Sequence, residues 1–301
     1  MNIIFVGGTG RCGTSITKEM IAKHPKVASL PFEYRFIVDP DGLIDFYTSY
    51  AETWTPYLAD NRLRRLRSLF WDISGSNSNG RYDGWELNNH ILDFHRHVIN
   101  LMADLRKFMF TAEWVGSDND STICHGIPMT RQELAVPMRK FIEGVIGGLI
   151  KQAGAEFFVE DNTWNILLAR EILELIPEAK IIHVYRDPRD VVASMSQQPW
   201  CPTDKVATAA WYKAIIEHWF NVRSHLPEGS ILELKLEDLV ESKDETVRGI
   251  YEFSGLSYAP EMLDIDLSHS HGGRWKDDFS GGDKDAVDSV LHDIIEALGY
   301  A

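Results

Sequence analysis

Five short runs in which apolar residues fill consecutive or near-consecutive positions stand out along the chain: Asn2–Val6, Val27–Leu30, Glu156–Glu160, Lys180–Tyr185 and Ser230–Leu236. Such runs, bounded by polar or turn residues, are the pattern of strands covered on both faces. Between them the spacing turns helical. Thr14–Lys23 follows the first run, and Thr163–Ile176 carries Ile166, Leu167, Ala169, Ile172, Leu173 and Ile176 at helical spacing. Pro188–Gln197 follows the fourth run and Asp244–Phe253 the fifth. Strand and helix in alternation predict right-handed crossovers and an α/β fold built as a three-layer, mostly parallel sheet of about five strands. The stretch from about residue 44 to 151 breaks the alternation. It is helical in spacing, rich in aromatic residues and shows no convincing strand pair, so it reads as a large helical insertion in one domain spanning residues 1–301. Ser74–Arg81 is the most polar stretch and reads as an exposed loop.

Composition narrows the partners. The 45 Asp and Glu against 30 Lys and Arg leave a net charge of −15, which argues against a general nucleic-acid or anionic-membrane binder. An anionic small molecule stays open, because a local cluster of arginines and backbone amides overrides net charge. Cys12, Cys124 and Cys201 are too irregularly spaced for a disulfide framework or a zinc site, so no metal is expected. The apolar stretch Ile3–Val6 is too short for a signal-peptide core, and no run approaches a membrane span. A soluble, cytoplasmic protein is expected.

Chemistry is concentrated in two segments. The first predicted strand runs into Gly7-Gly8-Thr9-Gly10-Arg11-Cys12-Gly13-Thr14-Ser15 and then a helix. Glycines let backbone amides converge, and the helix start adds partial positive charge, so this is a candidate anion cradle. Its spacing nearly reproduces the nucleotide P-loop, but Thr14 stands where that motif has Lys, and the positive charge sits at Arg11 instead. Without the Lys that holds the β and γ phosphates, nucleoside-triphosphate chemistry is disfavoured while a 5′-phosphate-type anion still fits. The second segment is Tyr185-Arg186-Asp187-Pro188-Arg189-Asp190-Val191-Val192-Ala193-Ser194. Asp187 suits an N-cap and Pro188 the first helical turn. Arg186 then leaves the C-terminal edge of the sheet, where parallel folds bind ligands, and Ser194, two turns on, can donate to the same anion. Arg189 and Asp190 suit a plain ion-pair role better than Arg186 does.

Together these segments resemble the sulfotransferases that use 3′-phosphoadenosine 5′-phosphosulfate (PAPS). Gly10-Arg11-Cys12-Gly13-Thr14-Ser15 is similar to their 5′-phosphosulfate loop, and the segment from Tyr185 to Ser194 to their 3′-phosphate motif. Leu236-Glu237-Asp238-Leu239, Phe253-Ser254-Gly255-Leu256 and Gly272-Gly273-Arg274-Trp275 are weaker likenesses. The branch resembled most holds the tyrosylprotein sulfotransferases and many bacterial relatives, in which Arg replaces the loop Lys of the cytosolic phenol and steroid enzymes. Those cytosolic enzymes carry a Trp against adenine just after the loop, where this chain has Ile16. Phe32-Glu33-Tyr34-Arg35 matches the branch's Glu-x-Arg segment, whose Glu is the catalytic base.

The resemblance implies sulfuryl transfer from PAPS to a hydroxyl of a small-molecule, carbohydrate or glycolipid acceptor, without a metal. Such a reaction needs a cradle for the leaving phosphate, a cation at the bridging oxygen and a base beside the acceptor. The implied assignments are Gly10, Arg11, Cys12, Gly13, Thr14 and Ser15 for the 5′ end, Arg186 and Ser194 for the 3′-phosphate, Gly273 and Arg274 on the late loop, and Glu33 as base with Arg11 as the catalytic cation. His125 is the alternative base. Glu33 has a plainer reading too, as a surface partner of Arg35. Asn162 stands where many relatives carry a Lys that stabilises the transferring group, leaving Arg11, Arg35 or another cation for that task. Cys12 reads as a small loop residue. Trp54, Tyr57, Phe70, Trp71, Tyr82, Trp85, Phe94 and Trp114 are candidates for an acceptor pocket or for helix-packing core, and Arg62–Arg67 reads as a solvated basic face. Two other functions compete: a P-loop kinase or other nucleotide-dependent phosphotransferase, and a catalytically silent cofactor-binding protein.

Overall fold

The computed structural model describes residues 1–75, 82, 84–114, 122–268 and 272–301. In chain order the elements are β1 (Asn2–Gly7), α1 (Thr14–Ala22), β2 (Val27–Ser29), α2 (Leu43–Glu52), α3 (Pro56–Ile73), α4 (Leu87–His90) and α5 (Phe94–Leu105). A hairpin of β3 (Phe108–Thr111) and β4 (Thr122–His125) follows, then α6 (Arg131–Gln152), β5 (Phe157–Glu160), α7 (Ala169–Leu175), β6 (Lys180–Tyr185), α8 (Pro188–Met195) and α9 (Lys205–Arg223). The chain closes with β7 (Ile231–Lys235), α10 (Leu236–Glu241), α11 (Lys243–Ser254), α12 (Trp275–Asp278) and α13 (Gly281–Ala297).

The fold is α/β, with a five-stranded parallel sheet ordered β2-β5-β1-β6-β7. The registers pair Val6 with Ile182 across β1 and β6, and Tyr185 with Lys235 across β6 and β7. Ile3 to Gly7, all of β5 and Ile181 to Val184 are buried without alternation. Successive side chains of a strand point to opposite faces, so both faces are covered and the sheet is the middle of three layers. The order matters for chemistry: β1, β6 and β7 are neighbours, so the loops leaving their C-terminal ends lie side by side.

Two compact units divide the chain. One comprises Asn2–Ser29, Val159–Arg170 and Glu178–Ala301, and holds nearly all of the sheet. In its core, α8 packs on α9 and α13 through Val191, Val192, Met195, Tyr212, Ile216 and Leu291, and Cys12 of the glycine loop is keyed into the same cluster. The other unit, Leu30–Phe158 with Glu171–Pro177 and Met1, takes in the predicted helical insertion. Its core is aromatic, with Phe36, Phe70, Phe94 and Phe141 at centroid separations of 5.0 to 6.4 Å.

Two sequence expectations are corrected. The insertion does contain a strand pair, the antiparallel hairpin of β3 and β4. All four residues of β3 are exposed, so no apolar–polar alternation marks it in the sequence. The predicted helix Thr163–Ile176 is broken into a 3₁₀ turn, Thr163–Ile166, and α7. The break has a local cause: the Thr163 carbonyl accepts from the Gly8 amide (3.0 Å) and the Asn165 side chain donates to the Val6 carbonyl (3.0 Å), so this turn braces the loop after β1. Of the predicted loop Ser74–Arg81, Ser74 caps α3 and residues 76–81 lie outside the described residues. Among the described residues no helix is long and apolar enough to cross a membrane.

Candidate active site

The loop after β1 is wound tightly by three positive-φ residues in four: Gly10 (+81°), Arg11 (+56°) and Gly13 (+103°). A Cβ on Gly8 would run into the Cys12 sulfur and lie 2.7 Å from the Val184 carbonyl, and one on Gly13 would lie 2.7 Å from Leu236 Cδ1. Glycine is therefore required for the backbone to turn back on itself against β6 and the start of α10. Gly13 is also the N-cap of α1 and has no side chain with which to occupy the first-turn amides. Arg11, a side-chain-bearing residue held in the left-handed region, stores backbone strain of the kind found at functional sites. Its side chain is exposed, like that of Ser15, whereas Thr14 and Cys12 are buried. Burial pushes the Cys12 thiol above its ordinary value, so it stays protonated. Its packing role is as the sequence suggests.

The second predicted segment folds as expected and meets the first. The Asp187 carboxylate caps α8 by accepting from the Arg189 amide (2.9 Å), with Pro188 in the first turn. Arg11 Nε donates to Ser194 Oγ at 3.0 Å, joining segments 183 residues apart. Arg186 lies 3.5 Å from the fully buried Asp190 carboxylate. Arg189 forms a forked pair with Asp187 at 2.8 and 2.9 Å, the ion-pair role expected for it. Asp190 does more than pair: its carboxylate accepts from the Gly273 amide (2.7 Å) and the Trp275 amide (2.9 Å), binding the late glycine loop to α8. Arg274 is held by Asp278 (2.6 Å) and Gln197 (2.5 Å).

The loop after β7 completes this edge. Glu237 accepts from the Asp187 amide (3.1 Å) and from the Tyr300 hydroxyl (2.7 Å). Burial and the Glu237 carboxylate push the Tyr300 phenol far above its ordinary value, so it remains a donor. Beside these groups opens a cavity of about 630 Å³, whose lining includes Asp187, Asp190, Lys235, Glu237, Gly273 and Tyr300. That volume is within the range of small-molecule sites.

Sequence reasoning missed two residues here, Trp200 and Lys18. Trp200 is half-exposed, and its indole lies 3.4 Å from where a Gly10 Cβ would be. Lys18, buried one turn into α1, places its ammonium 3.5 Å from Asp161, so a cation stands at the end of β5 although the strand supplies none. Asn162, at the position of the missing Lys, is buried and caps the 3₁₀ turn by accepting from the Trp164 amide (3.0 Å). No periodicity or motif marks Trp200 or Lys18; only the fold brings them to the loop. The latch formed by Asp190 could have been suspected from its place midway between Arg186 and Ser194.

The remaining candidates belong to the other unit. Glu33 is paired with Arg35 at 2.7 Å, and Arg35 also approaches Asp39 (3.6 Å) and lies 5.6 Å over the Trp85 ring. The Trp85 indole donates to the Glu33 carbonyl (3.0 Å), fixing the backbone that carries the carboxylate. His125 sits on β4 rather than in a loop, stacked on Phe108 at 4.6 Å. Among the aromatic candidates Phe70, Tyr82 and Phe94 are core, while Tyr57 and Trp71 remain about half exposed. The basic cluster is tied down within its unit: Arg62 donates to the Thr53 carbonyl, Arg64 pairs with Asp60 (3.0 Å) and Arg65 with Asp41 (3.5 Å). Among the described residues no cluster of His, Cys, Asp or Glu is placed to hold a metal ion.

A sulfotransferase domain from the olefin synthase of Synechococcus PCC 7002 is 15% identical, with 96% of this chain and 86% of that one covered, at a TM-score of 0.48. The sulfotransferase domain from the curacin biosynthetic pathway is 14% identical, with 100% and 98% covered, at 0.49. An uncharacterized protein of Aquifex aeolicus (strain VF5) is 31% identical over 104 residues, which cover 31% of this chain and 13% of that protein, so the chain matches a small part of that relative's length. A family model described as "Sulfotransferase family" matches residues 3–260, most of the chain, including the glycine loop after β1 and the segment from Tyr185 to Ser194. The chain belongs to the sulfotransferase family.

Proposed function

We propose that this protein transfers a sulfuryl group from PAPS to a hydroxyl of a small-molecule or carbohydrate acceptor. The observation that carries this reading is the Arg11–Ser194 hydrogen bond, 3.0 Å, which ties the loop after β1 to the segment after β6. Two anion sites so joined suit one ligand carrying phosphate at both ends. The glycine-wound loop supports the 5′ end: with no Cβ at Gly8, Gly10 or Gly13, backbone amides can converge on an oxyanion. Gly10 to Ser15, with the Thr14 and Ser15 hydroxyls, would hold the 5′-phosphosulfate. Arg186 and Ser194, with Gly273 and Arg274 nearby in the fold, would hold the 3′-phosphate.

In the proposed reaction the acceptor oxygen forms a bond to sulfur as the bond from sulfur to the 5′-phosphate oxygen breaks. The acceptor proton goes to the Glu33 carboxylate, which Arg35 holds in one orientation. Negative charge grows on the departing phosphate oxygen, where Arg11 and the loop amides stabilise it, and 3′-phosphoadenosine 5′-phosphate is released. Arginines then supply the charge compensation that Mg²⁺ provides for kinases. Three free cysteines, two of them buried, support a reducing, cytoplasmic setting.

Thermal-shift titration tests the reading. 3′-Phosphoadenosine 5′-phosphate at about a hundred times its Kd should stabilise the protein by about 2.7 kcal/mol, a rise in Tm on the order of 5 °C. Stabilisation by ATP with Mg²⁺ and none by the bisphosphate would transfer the protein to the phosphotransferases. Tight bisphosphate binding with no ³⁵S transfer to any component of a source-organism lysate would make it a silent binder.

A further inference from the structure

The partners of Asp190, a carboxylate of the sheet-bearing unit, come from both elements that the donor reading assigns to the 3′-phosphate. It is completely buried. Its Oδ2 accepts from the Gly273 amide at 2.7 Å and faces Arg186 Nη2 at 3.5 Å, while Oδ1 accepts from the Trp275 amide at 2.9 Å. A buried carboxylate is tolerated only when its lone pairs are filled, and here two amides and a guanidinium fill them. Two amides two residues apart can converge on one carboxylate because Gly273, which carries the first of them, adopts φ +87°, a conformation that side chains rarely take. The same turn starts α12 and sets the direction in which Arg274 leaves the loop, toward Gln197 and Asp278.

We infer that Asp190 is a positioning residue for donor recognition: it latches the 272–275 loop onto α8 and fixes the Arg186 guanidinium beside it, so that both elements face the 3′-phosphate together. The inference rests on the donor reading above. It assigns Asp190 no contact with the donor and no step in sulfuryl transfer. Its chemical consequence is selectivity: a ligand bearing a 3′-phosphate depends on the latch, and one lacking it does not.

Asp190→Asn removes the latch with little change of volume. The amide can accept at one position, but its NH2 then opposes a backbone N–H, leaving two donors face to face in a buried site. Calorimetric affinities for 3′-phosphoadenosine 5′-phosphate and adenosine 5′-phosphate are compared in the wild type and the variant. The variant should lose about tenfold in the ratio of the two, the scale of one charge-assisted hydrogen bond, while its affinity for adenosine 5′-phosphate stays within about twofold. Equal losses for both nucleotides would mean a general structural role and overturn the proposal, as would an unchanged ratio. A wild type that binds both nucleotides equally would instead overturn the donor reading, and the latch with it. Should Asp190→Asn fail to fold, Gly273→Val strains the loop that donates to Asp190 while leaving the carboxylate itself in place, and the same drop in ratio is expected. Hydrogen exchange in the wild type gives an independent check: the Gly273 and Trp275 amides should be protected without ligand, and rapid exchange at both would refute the latch.

Discussion

Arg11 should be worth more to ligand binding than to folding, and Arg11→Gly exposes the difference. Arg11 sits at φ +56°, where a side chain costs about 1–2 kcal/mol and glycine costs little. Replacement removes that strain, but also removes the hydrogen bond to Ser194, worth about 0.5–1.5 kcal/mol net, and loosens the unfolded chain by about 0.4–1 kcal/mol. These terms nearly cancel, so the ligand-free variant should keep its stability to within about 1 kcal/mol and its Tm to within about 2 °C. Binding has no such compensation. Losing one charge-assisted hydrogen bond to a phosphate costs about 1.5–3 kcal/mol, so affinity for 3′-phosphoadenosine 5′-phosphate should fall about 10- to 150-fold. Differential scanning fluorimetry without ligand and isothermal calorimetry with it measure the two effects separately. Arg11→Ala, which keeps a Cβ in the strained conformation, should bind as poorly and melt lower than the glycine variant. The reasoning fails if the glycine variant binds within about threefold of wild type, or if its Tm collapses while affinity survives.

Two further outcomes follow from the site. Glu33→Gln should lower turnover about 10²- to 10⁴-fold, the usual contribution of a general base, with bisphosphate affinity nearly unchanged; full activity in ³⁵S transfer would shift attention to His125. Burial holds the Cys12 thiol protonated, because a thiolate there would be poorly solvated, so raising the pH from 7 to 8 should not make it reactive. Peptide mapping after iodoacetamide treatment of the native protein should find Cys12 unmodified while half-buried Cys201 reacts first; prompt alkylation of Cys12 would show that the loop opens in solution.

Much of the architecture was legible because it is written locally. Runs such as Ile181–Val184 carry the burial pattern of a strand covered on both faces in their own residues, and Asp187-Pro188 carries its own helix start. The glycine loop is similarly self-announcing, since Gly8 and Gly13 answer to steric demands that few other residues meet. Signals fade where an element's conformation is set by neighbours. Strand β3, exposed on every residue, has no periodicity to read, and the helix expected from Thr163 gives way because its first turn is recruited to brace the loop after β1.

The amino-acid sequence by itself determined the fold class, the order of the strands along the chain and two candidate anion-binding segments, because each depends on contacts between residues near one another in sequence. Which residues share a site was decided by the tertiary structure. The sheet order places β1, β6 and β7 side by side, and only that brings Arg11 within 3.0 Å of Ser194, Asp190 onto the Gly273 amide and Trp200 beside Gly10. Distances between residues far apart in sequence are fixed by how strands pair and helices pack, and no local pattern encodes them.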